Sequence, residues 1–203
     1  MAAPFVVQPL FMNMFDELFL TSAIPPSVNH YLAYRAIIKD GKPMAMSYCT
    51  PEAAKYKKDF SQYVAQEVIR QGYRLEPNST RHFYVDCDFV FPRTNMDCNN
   101  YFKCMLDAIT DTKLIWLDDN VVCERVNSIR YDTDDPRIEI HIQPVDYIGV
   151  FDDASHLRNF ENKCIGCQRY RRNCSILKNA ILGKIQKEVH GDVCEKRKEI
   201  KEN

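Results

Sequence analysis

The segment DCNNYFKCMLDAIT, residues 97–110, combines a helical apolar pattern with polar groups at defined positions. A helix is predicted from about Asn100 to Thr110, because its apolar residues recur at the spacing of one helical face. Lys103 lies one helical turn from Asn99 and one turn from Asp107, so these three side chains share another face. The predicted buried residues of this helix are Phe102, Met105, Leu106 and Ile109.

Carboxylates flank this predicted helix on both sides. Asp97 precedes it, and Asp118 and Asp119 follow in the next turn. Carboxylates repel each other unless a cation lies between them, and Mg²⁺ prefers such oxygen ligands together with water and phosphate oxygens. A bound Mg²⁺ generates hydroxide and screens the charge that develops when a phosphodiester is cut. The spacing therefore indicates a metal site, and an ordinary solvated surface turn is the alternative interpretation.

The remaining pattern predicts an α+β fold in the order β-β-β-α-β-α-β-β, with helices packed on one sheet. Asp40-Gly41 is a strong hairpin signal between two short strands. Thr50-Pro51 is typical of a helix start, and Gly72 of a helix end. The apolar face of that helix is predicted to contain Tyr56, Phe60, Tyr63, Val64 and Ile69. The predicted strands are 18–24, 35–39, 44–48, 82–91, 121–131 and 137–142.

Composition and charge divide the 203 residues into unequal parts. Residues 1–17 are predicted to be an N-terminal extension and 18–152 the main domain. Residues 153–203 are predicted to be a small, basic, cysteine-rich appendage that contains a helix. Residues 155–203 contain 12 Lys and Arg against 6 Asp and Glu, whereas residues 1–154 contain 15 against 22. No apolar run reaches the ~18 residues of a membrane span. Nine cysteines, an odd number, argue against a secreted disulfide framework, so a cytoplasmic location is expected.

The tail contains a candidate structural zinc site. Cys164 and Cys167 form a C-x2-C pair, and Cys174 follows after six residues. This spacing is typical of thiolates that close a tetrahedron around Zn²⁺. The fourth ligand is expected to be Cys194, with His156 or His190 as alternatives; unligated thiols or a redox pair are the other interpretations. Residues expected to contact DNA phosphates here are Arg169, Arg171 and Arg172.

Three separated blocks, in order, resemble the RusA family of Holliday-junction resolvases, which are crossover junction endodeoxyribonucleases. PPSVNHY at residues 25–31 is similar to the family pattern P-P-S-x-N-x-Y. Residues 97–110 are similar to D-x-D-N-x-x-K-x-x-x-D-A-L-T, and IWLDDNVV at residues 115–122 is similar to W-x-D-D-x-Q-V. The resemblance covers about residues 18–145.

The resemblance implies a RusA-like mixed β-sheet with helices packed on it, and a homodimer. It also implies Mg²⁺-dependent cutting of four-way junctions or related branched DNA in recombination and repair, with Mn²⁺ as a possible substitute. Members of this family are often encoded by prophages. By position, Asp97 and Asp119 correspond to metal-binding catalytic acids, Lys103 to the essential lysine, and Asp118 to the neighbouring acid. Asp107 is expected to be structural and to pair with Lys103.

The chain departs from the family pattern at two places. Asn99 occupies the position of a second catalytic aspartate, and its neutral carbonyl is a weaker metal ligand. Asp86 and Asp88 are candidate replacements, although an ordinary solvent-facing pair is the preferred interpretation. The loop before the site has one cation, Arg93, where related resolvases carry an arginine run. The expected DNA contacts near the site are Arg93, Asn100 and Lys103.

Three functional hypotheses follow. The first is a structure-selective endonuclease, and the second is a catalytically weakened module that binds branched DNA, which Asn99 favours. The third is a small zinc-dependent interaction protein whose acidic turn is incidental. Cutting of a four-way junction in the presence of Mg²⁺ distinguishes the first hypothesis from the second.

Overall fold

A computed structural model describes residues 16–77, 81–170, 172, 174–184 and 187–200. The chain forms two compact units, which are considered separately. The first contains the described residues of 16–77 and 83–144, and the second contains residues 81–82 and those from Val145 onward. The boundary near Asp152 stays a prediction. Residues 1–15 of the predicted N-terminal extension lie outside the described part.

The first unit is built on a four-stranded mixed sheet. Its strands, in spatial order, are β1 (Leu18–Ala23), β6 (Arg137–Pro144), β4 (Phe83–Phe91) and β5 (Val122–Tyr131). β6 is antiparallel to β1 and β4, whereas β4 and β5 are parallel. Along β6, Ile138, Ile140 and Ile142 are buried and alternate with partly exposed residues, as the period of a half-buried strand requires. The predicted α+β class is confirmed.

Two helices contribute to the core of this unit. α2 (Pro51–Arg70) begins at Thr50, whose side chain accepts a hydrogen bond from the Ala53 amide at 3.3 Å. α3 (Phe102–Thr112) buries the four apolar residues predicted for it and ends at Lys113. The prediction for Ile69 is wrong, because its side chain is 81% exposed. Val68 packs on the core instead, since it lies four residues after the buried Val64 and therefore on the same helical face.

A separate hairpin lies between β1 and α2 in the chain. The short helix α1 (Val28–Tyr31) leads into β2 (Leu32–Lys39), which pairs with β3 (Lys42–Cys49) and forms a two-stranded sheet of its own. Asp40 and Gly41 join the two strands, both with positive φ, +52° and +74°. Such a two-residue turn matches the twist of the flanking strands. The hairpin predicted from Asp40-Gly41 is confirmed.

The second unit has a small core of its own. It contains α4 (Ala154–Cys164), α5 (Ser175–Ile181) and a hairpin of β7 (Val189–His190) and β8 (Val193–Cys194). Its buried residues are Phe151, Leu157, Phe160, Ile176, Ala180 and Val189. A side chain at Gly149 would lie 2.0 Å from the Ala180 carbonyl oxygen, so the close approach requires glycine. Within the described residues, none of the helices is both long enough and apolar enough to traverse a lipid bilayer.

Candidate active site

Lys103 is the centre of the site in the first unit. Its ammonium group donates to Asp107 Oδ1 at 2.8 Å, one helical turn away on α3, and to Asp119 Oδ2 at 3.1 Å. The hydrogen bond to Asp107 raises the pKa of Lys103, the bond to Asp119 adds to this effect, and partial burial opposes it. The lysine is therefore a stable cation between two carboxylates that are 12 residues apart in the chain.

Asp107 is also held by a residue from the first sequence block. The Tyr31 hydroxyl donates a short hydrogen bond to Asp107 Oδ2, so both oxygens of this carboxylate are occupied. Burial, followed by the hydrogen bond and charge of Asp107, raises the pKa of Tyr31 far above its ordinary value. The expected pairing of Asp107 with Lys103 is present. Tyr31, Asp107, Lys103 and Asp119 thus form one continuous chain of hydrogen bonds.

Buried packing fixes the acidic turn that carries Asp119. Trp116 is completely buried, and its Nε1 donates to Thr110 Oγ1 at 2.7 Å. The indole ring also packs on Phe83 of β4, with ring centroids 5.6 Å apart. The turn that follows Trp116 therefore has a rigid origin on the end of α3 and on the sheet. This places Asp119 within reach of Lys103.

Asp97 and Asp118 have the same local geometry. Asp97 accepts a hydrogen bond from the Asn99 amide at 3.0 Å and caps a 3₁₀ turn at Cys98–Asn100. Asp118 accepts one from the Asn120 amide at 3.0 Å and caps the turn Asp119–Val121. Both carboxylates are exposed, and each has its second oxygen outside the hydrogen bonds found among the described residues. These oxygens are accessible to a cation or to solvent.

A family model described as endodeoxyribonuclease RusA matches residues 24–143, which is more than half of the chain. The match begins beside Pro25, contains Tyr31, Asp97, Lys103, Asp107 and Asp119, and ends in β6. The chain belongs to the RusA endodeoxyribonuclease family. This family comprises nucleases that act on Holliday junctions. A search of the curated proteins finds no match.

The RusA assignment gives Asn99 its significance. Its side chain is exposed and lies outside the hydrogen bonds of the described site, while its backbone amide supports Asp97. Asn100 is partly buried, and Arg93 is exposed on the preceding loop. The positive charge of Arg93 acts on the nearby Tyr101, opposing the burial that raises the pKa of that tyrosine. The Asn99 side chain therefore leaves the hydrogen bonds around Lys103 uninterrupted.

Glu124 is an additional candidate that the sequence did not single out. It lies near the start of β5 in this RusA domain, five residues after Asp119. Partial desolvation raises the pKa of Glu124, the negative charge of Asp119 raises it further, and Lys103 opposes the shift. The charges of both Asp119 and Lys103 thus act on Glu124. An acid at the start of the strand that leaves an acidic turn was the available signal.

Asp86 and Asp88 on β4 are not a solvent-facing pair. The Asp86 side chain is 6% exposed and receives two hydrogen bonds from the Arg125 guanidinium, both at 2.6 Å, and one from Gln143 at 2.7 Å. Asp88 accepts a short hydrogen bond from Ser128. The preference for a solvent-facing pair is wrong, because the strand pairing places Asp86 directly opposite Arg125. Asp86 is committed to this ion pair and is a poor replacement for a missing metal ligand.

The side chains in and beside the predicted metal site fit a hard cation in their chemistry. Asp97, Asp118, Asp119 and Glu124 offer only carboxylate oxygens, and Asn99 adds a neutral oxygen. In the part of the chain that the structure describes, no three His, Cys, Asp or Glu side chains form a ready-made metal-binding group. Mg²⁺ commonly uses one or two protein carboxylates and completes its shell with water and substrate phosphate oxygens. A site of this kind needs no group of three acids.

The four tail cysteines line one pocket of about 380 Å³ in the second unit. Burial, and then the proximity of Cys174, Cys194 and Cys167, raises the pKa of Cys164 to about 11. Burial also acts to raise the pKa of Cys167, but hydrogen bonds from three backbone amides outweigh it and lower the pKa. The cysteines are thus neighbours, although the absence of a ready-made metal group among the described residues applies to them too.

The two alternative histidine ligands lie outside this pocket, whereas Arg169 lines it together with the cysteines. His156 lies 3.2 Å from a carboxylate oxygen of Asp152, and His190 lies 3.1 Å from one of Glu195, and neither histidine lines the cysteine pocket. Cys194 does line it. Among the arginines predicted to contact DNA, Arg169 and Arg172 are exposed, whereas Arg171 lies outside the described residues.

Proposed function

We propose that this RusA-family chain is a Mg²⁺-dependent, structure-selective endonuclease that cuts Holliday junctions or related branched DNA during recombination and repair. The observation that carries this proposal is the hydrogen-bonded chain of Tyr31, Asp107, Lys103 and Asp119. It holds a lysine ammonium against one exposed side of an acidic site. A cation in that position meets the negative charge of a scissile phosphate, which is the main electrostatic requirement of phosphodiester cleavage.

Asp97 and Asp119 are proposed to hold Mg²⁺, or Mn²⁺ in its place, with Asn99 as a neutral oxygen ligand and Asp118 as a neighbouring acid. The bound ion would supply an activated water and charge neutralisation. The protein supplies the rest. Asp97 and Asp118 present exposed carboxylate oxygens, and Lys103 is oriented by Asp107 to contact the phosphate or the attacking water.

The proposed assembly is a homodimer. Two active sites related by a two-fold axis match a four-way junction, because they can nick two opposing strands of the junction symmetrically. Arg93 and Asn100 are proposed to contact DNA beside the site. The exposed Arg169 and Arg172 of the tail, together with Arg171, are proposed to contribute phosphate contacts that the loop at Arg93, with its single cation, lacks.

The test is nicking of a synthetic four-way junction, a fork and a linear duplex, with and without Mg²⁺. Wild type is expected to cut the branched substrates only with the metal, and Asp97→Ala and Asp119→Asn are expected to bind but not cut. Asp111→Asn is the matched control, because Asp111 pairs with Lys57 at 2.9 Å at the far end of the same helix. Cutting by Asp97→Ala and Asp119→Asn at the wild-type rate would refute the proposed roles.

A second candidate function has one specific observation in its favour. Asn99 removes a carboxylate from the position where the family pattern has a catalytic aspartate. A weaker metal site would leave a protein that binds branched DNA and cuts it slowly or not at all. Junction binding without any nicking in either Mg²⁺ or Mn²⁺ would establish this second function and overturn the first.

We also propose that the tail binds a structural Zn²⁺ through Cys164, Cys167, Cys174 and Cys194. Support comes from the four thiols lining one pocket and from the three amide hydrogen bonds to Cys167, which favour a thiolate. A small core of six buried residues gives a further reason, because units of this size commonly need a metal or a cross-link. On this proposal the ion draws the thiols inward to their coordinating positions.

A further inference from the structure

The β2–β3 hairpin has two chemically different faces. Its pairing places Arg35 opposite Met46 and Lys39 opposite Lys42. Side chains alternate between the faces of a strand, so all three cations of the hairpin lie on one face. The same face carries Ala33, Ile37, Met44, Met46 and Tyr48. The opposite face is uncharged and consists of Leu32, Tyr34, Ala36, Ile38, Pro43, Ala45, Ser47 and Cys49.

The cations of this face are available for a partner. Arg35, Lys39 and Lys42 are exposed, and none of them forms an ion pair with a carboxylate among the residues that the structure describes. The Arg35 guanidinium lies 5.7 Å from the ring centroid of Tyr48. Asp40, at the turn, is the single acid of the hairpin. The hairpin is therefore a basic element within a part of the chain in which acids outnumber bases.

The hairpin arises directly at the candidate active site. β2 follows Tyr31, whose hydroxyl binds Asp107, and β3 leads into Thr50. The Thr50 amide donates to the Tyr31 carbonyl at 3.0 Å, and its hydroxyl donates to the His30 carbonyl at 2.8 Å. Both ends of the hairpin are thus tied to Tyr31, which supports Lys103 through Asp107. Eight residues of strand extend roughly 26 Å, so Lys39 and Lys42 lie at the end of the hairpin opposite to Tyr31.

We propose that the cationic face of the β2–β3 hairpin, bearing Arg35, Lys39 and Lys42, is an arm that binds the phosphate backbone of the DNA leading to the active site. The proposal rests on the proposed nuclease function. Its chemistry suits a polyanion, because three cations without a carboxylate partner on an exposed strand pair complement phosphates. The arm contacts the backbone and not base edges, so it adds affinity without sequence preference.

The test compares a triple variant, Arg35→Gln, Lys39→Gln and Lys42→Gln, with wild type in DNA binding without divalent metal. Removing three phosphate contacts is expected to lower the slope of log affinity against log salt by about 2.7, and to weaken binding near 0.1 M salt by a factor on the order of 10². The matched control is Tyr34→Gln, Ala36→Gln and Ile38→Gln on the uncharged face, which is expected to retain the wild-type salt slope. Melting temperatures verify that both variants fold.

The outcomes separate the arm from the nuclease. An unchanged salt slope in the folded charge variant, or failure of wild type to bind DNA, would overturn the arm. An equal loss of binding in the control variant would show that the hairpin acts through its uncharged face, and would also overturn the proposed arm. If wild type binds DNA but never nicks it, while the charge variant shows the expected lower salt slope, the proposed nuclease is overturned and the arm is supported.

Discussion

Replacing Lys103 by methionine should separate metal binding from cutting. In the structure its ammonium lies 3.1 Å from an oxygen of Asp119, one of the proposed metal ligands. A divalent cation approaching Asp119 therefore meets a positive charge that is already present. We expect Lys103→Met to bind Mg²⁺ more tightly than wild type while losing junction cutting, because the same charge that opposes the metal also meets the scissile phosphate.

The scale of the first effect is set by the Lys103–Asp119 ion pair, because the metal competes with the ammonium for this carboxylate. Two unit charges 3.1 Å apart interact with about 1.3 kcal/mol in a water-like dielectric. The Lys103 side chain is 54% exposed, so solvent and salt reduce this to about 1 kcal/mol or less. The gain in Mg²⁺ affinity should therefore be at most about fivefold. The loss of cutting should be larger, about 10²- to 10³-fold, as for removal of one transition-state charge contact.

The assays are Mg²⁺ titration by calorimetry, and single-turnover nicking of a four-way junction at saturating metal. Lys57→Met is the matched control. Lys57 lies on α2 and pairs with Asp111, which is on α3 like Lys103 but away from the site. It removes the same charge and one ion pair, and both measurements should equal those of wild type. Weaker Mg²⁺ binding by Lys103→Met, or nicking at the wild-type rate, would refute this account of the lysine.

Two further predictions concern the stability of the main domain and the metal content of the tail. Hydrogen bonding from Arg125 lowers the pKa of Asp86, and burial opposes this shift. The ion pair therefore stabilises the fold fully above the unfolded Asp pKa of about 3.9. This contribution is lost as the pH falls through the lower pKa of the folded state. Asp86→Asn should lower the free energy of unfolding by about 2 kcal/mol at pH 7 in urea denaturation, with a smaller difference below pH about 4; equal stability at pH 7 would contradict this. Protein prepared without chelator should contain about one zinc per chain, and Cys167→Ser should lose it whereas Cys123→Ser, outside the tail, keeps it; metal-free wild type would end the zinc proposal.

The elements that could be predicted from the sequence are those with strong local signals. The α3 face, the strand of alternating isoleucines and the Asp40-Gly41 turn each follow from periodicity or turn chemistry, which act over a few residues. The error at Ile69 arose in the last turn of α2, where two adjacent apolar residues both suit an apolar face and only the packing selects Val68. The two-residue strands β7 and β8 were too short to produce any period.

The site residues that were misjudged depend on contacts distant in sequence. Asp86 is buried because strand pairing places Arg125, 39 residues later, opposite it. Glu124 became a candidate only when the fold brought Asp119 and Lys103 close to it. The pairing of Asp86 has no local pattern, and the acid that follows the acidic turn at Glu124 was a local signal that only the fold connects to Lys103. Pairs of charges on neighbouring strands are set by register, and a change of one residue in register moves every side chain to the other face.

The hydrogen-bonded chain explains why the three blocks of the RusA pattern belong together although more than 60 residues separate the first from the second. Tyr31 occupies one oxygen of Asp107, so Asp107 can neither rotate away from Lys103 nor offer that oxygen to a metal. Lys103 in turn occupies one oxygen of Asp119 and leaves the other for a cation. Asn99 takes part in none of these bonds through its side chain. On the proposed function, we expect asparagine at this position to lower metal affinity and to leave the lysine in place, as a weaker but still competent nuclease would require.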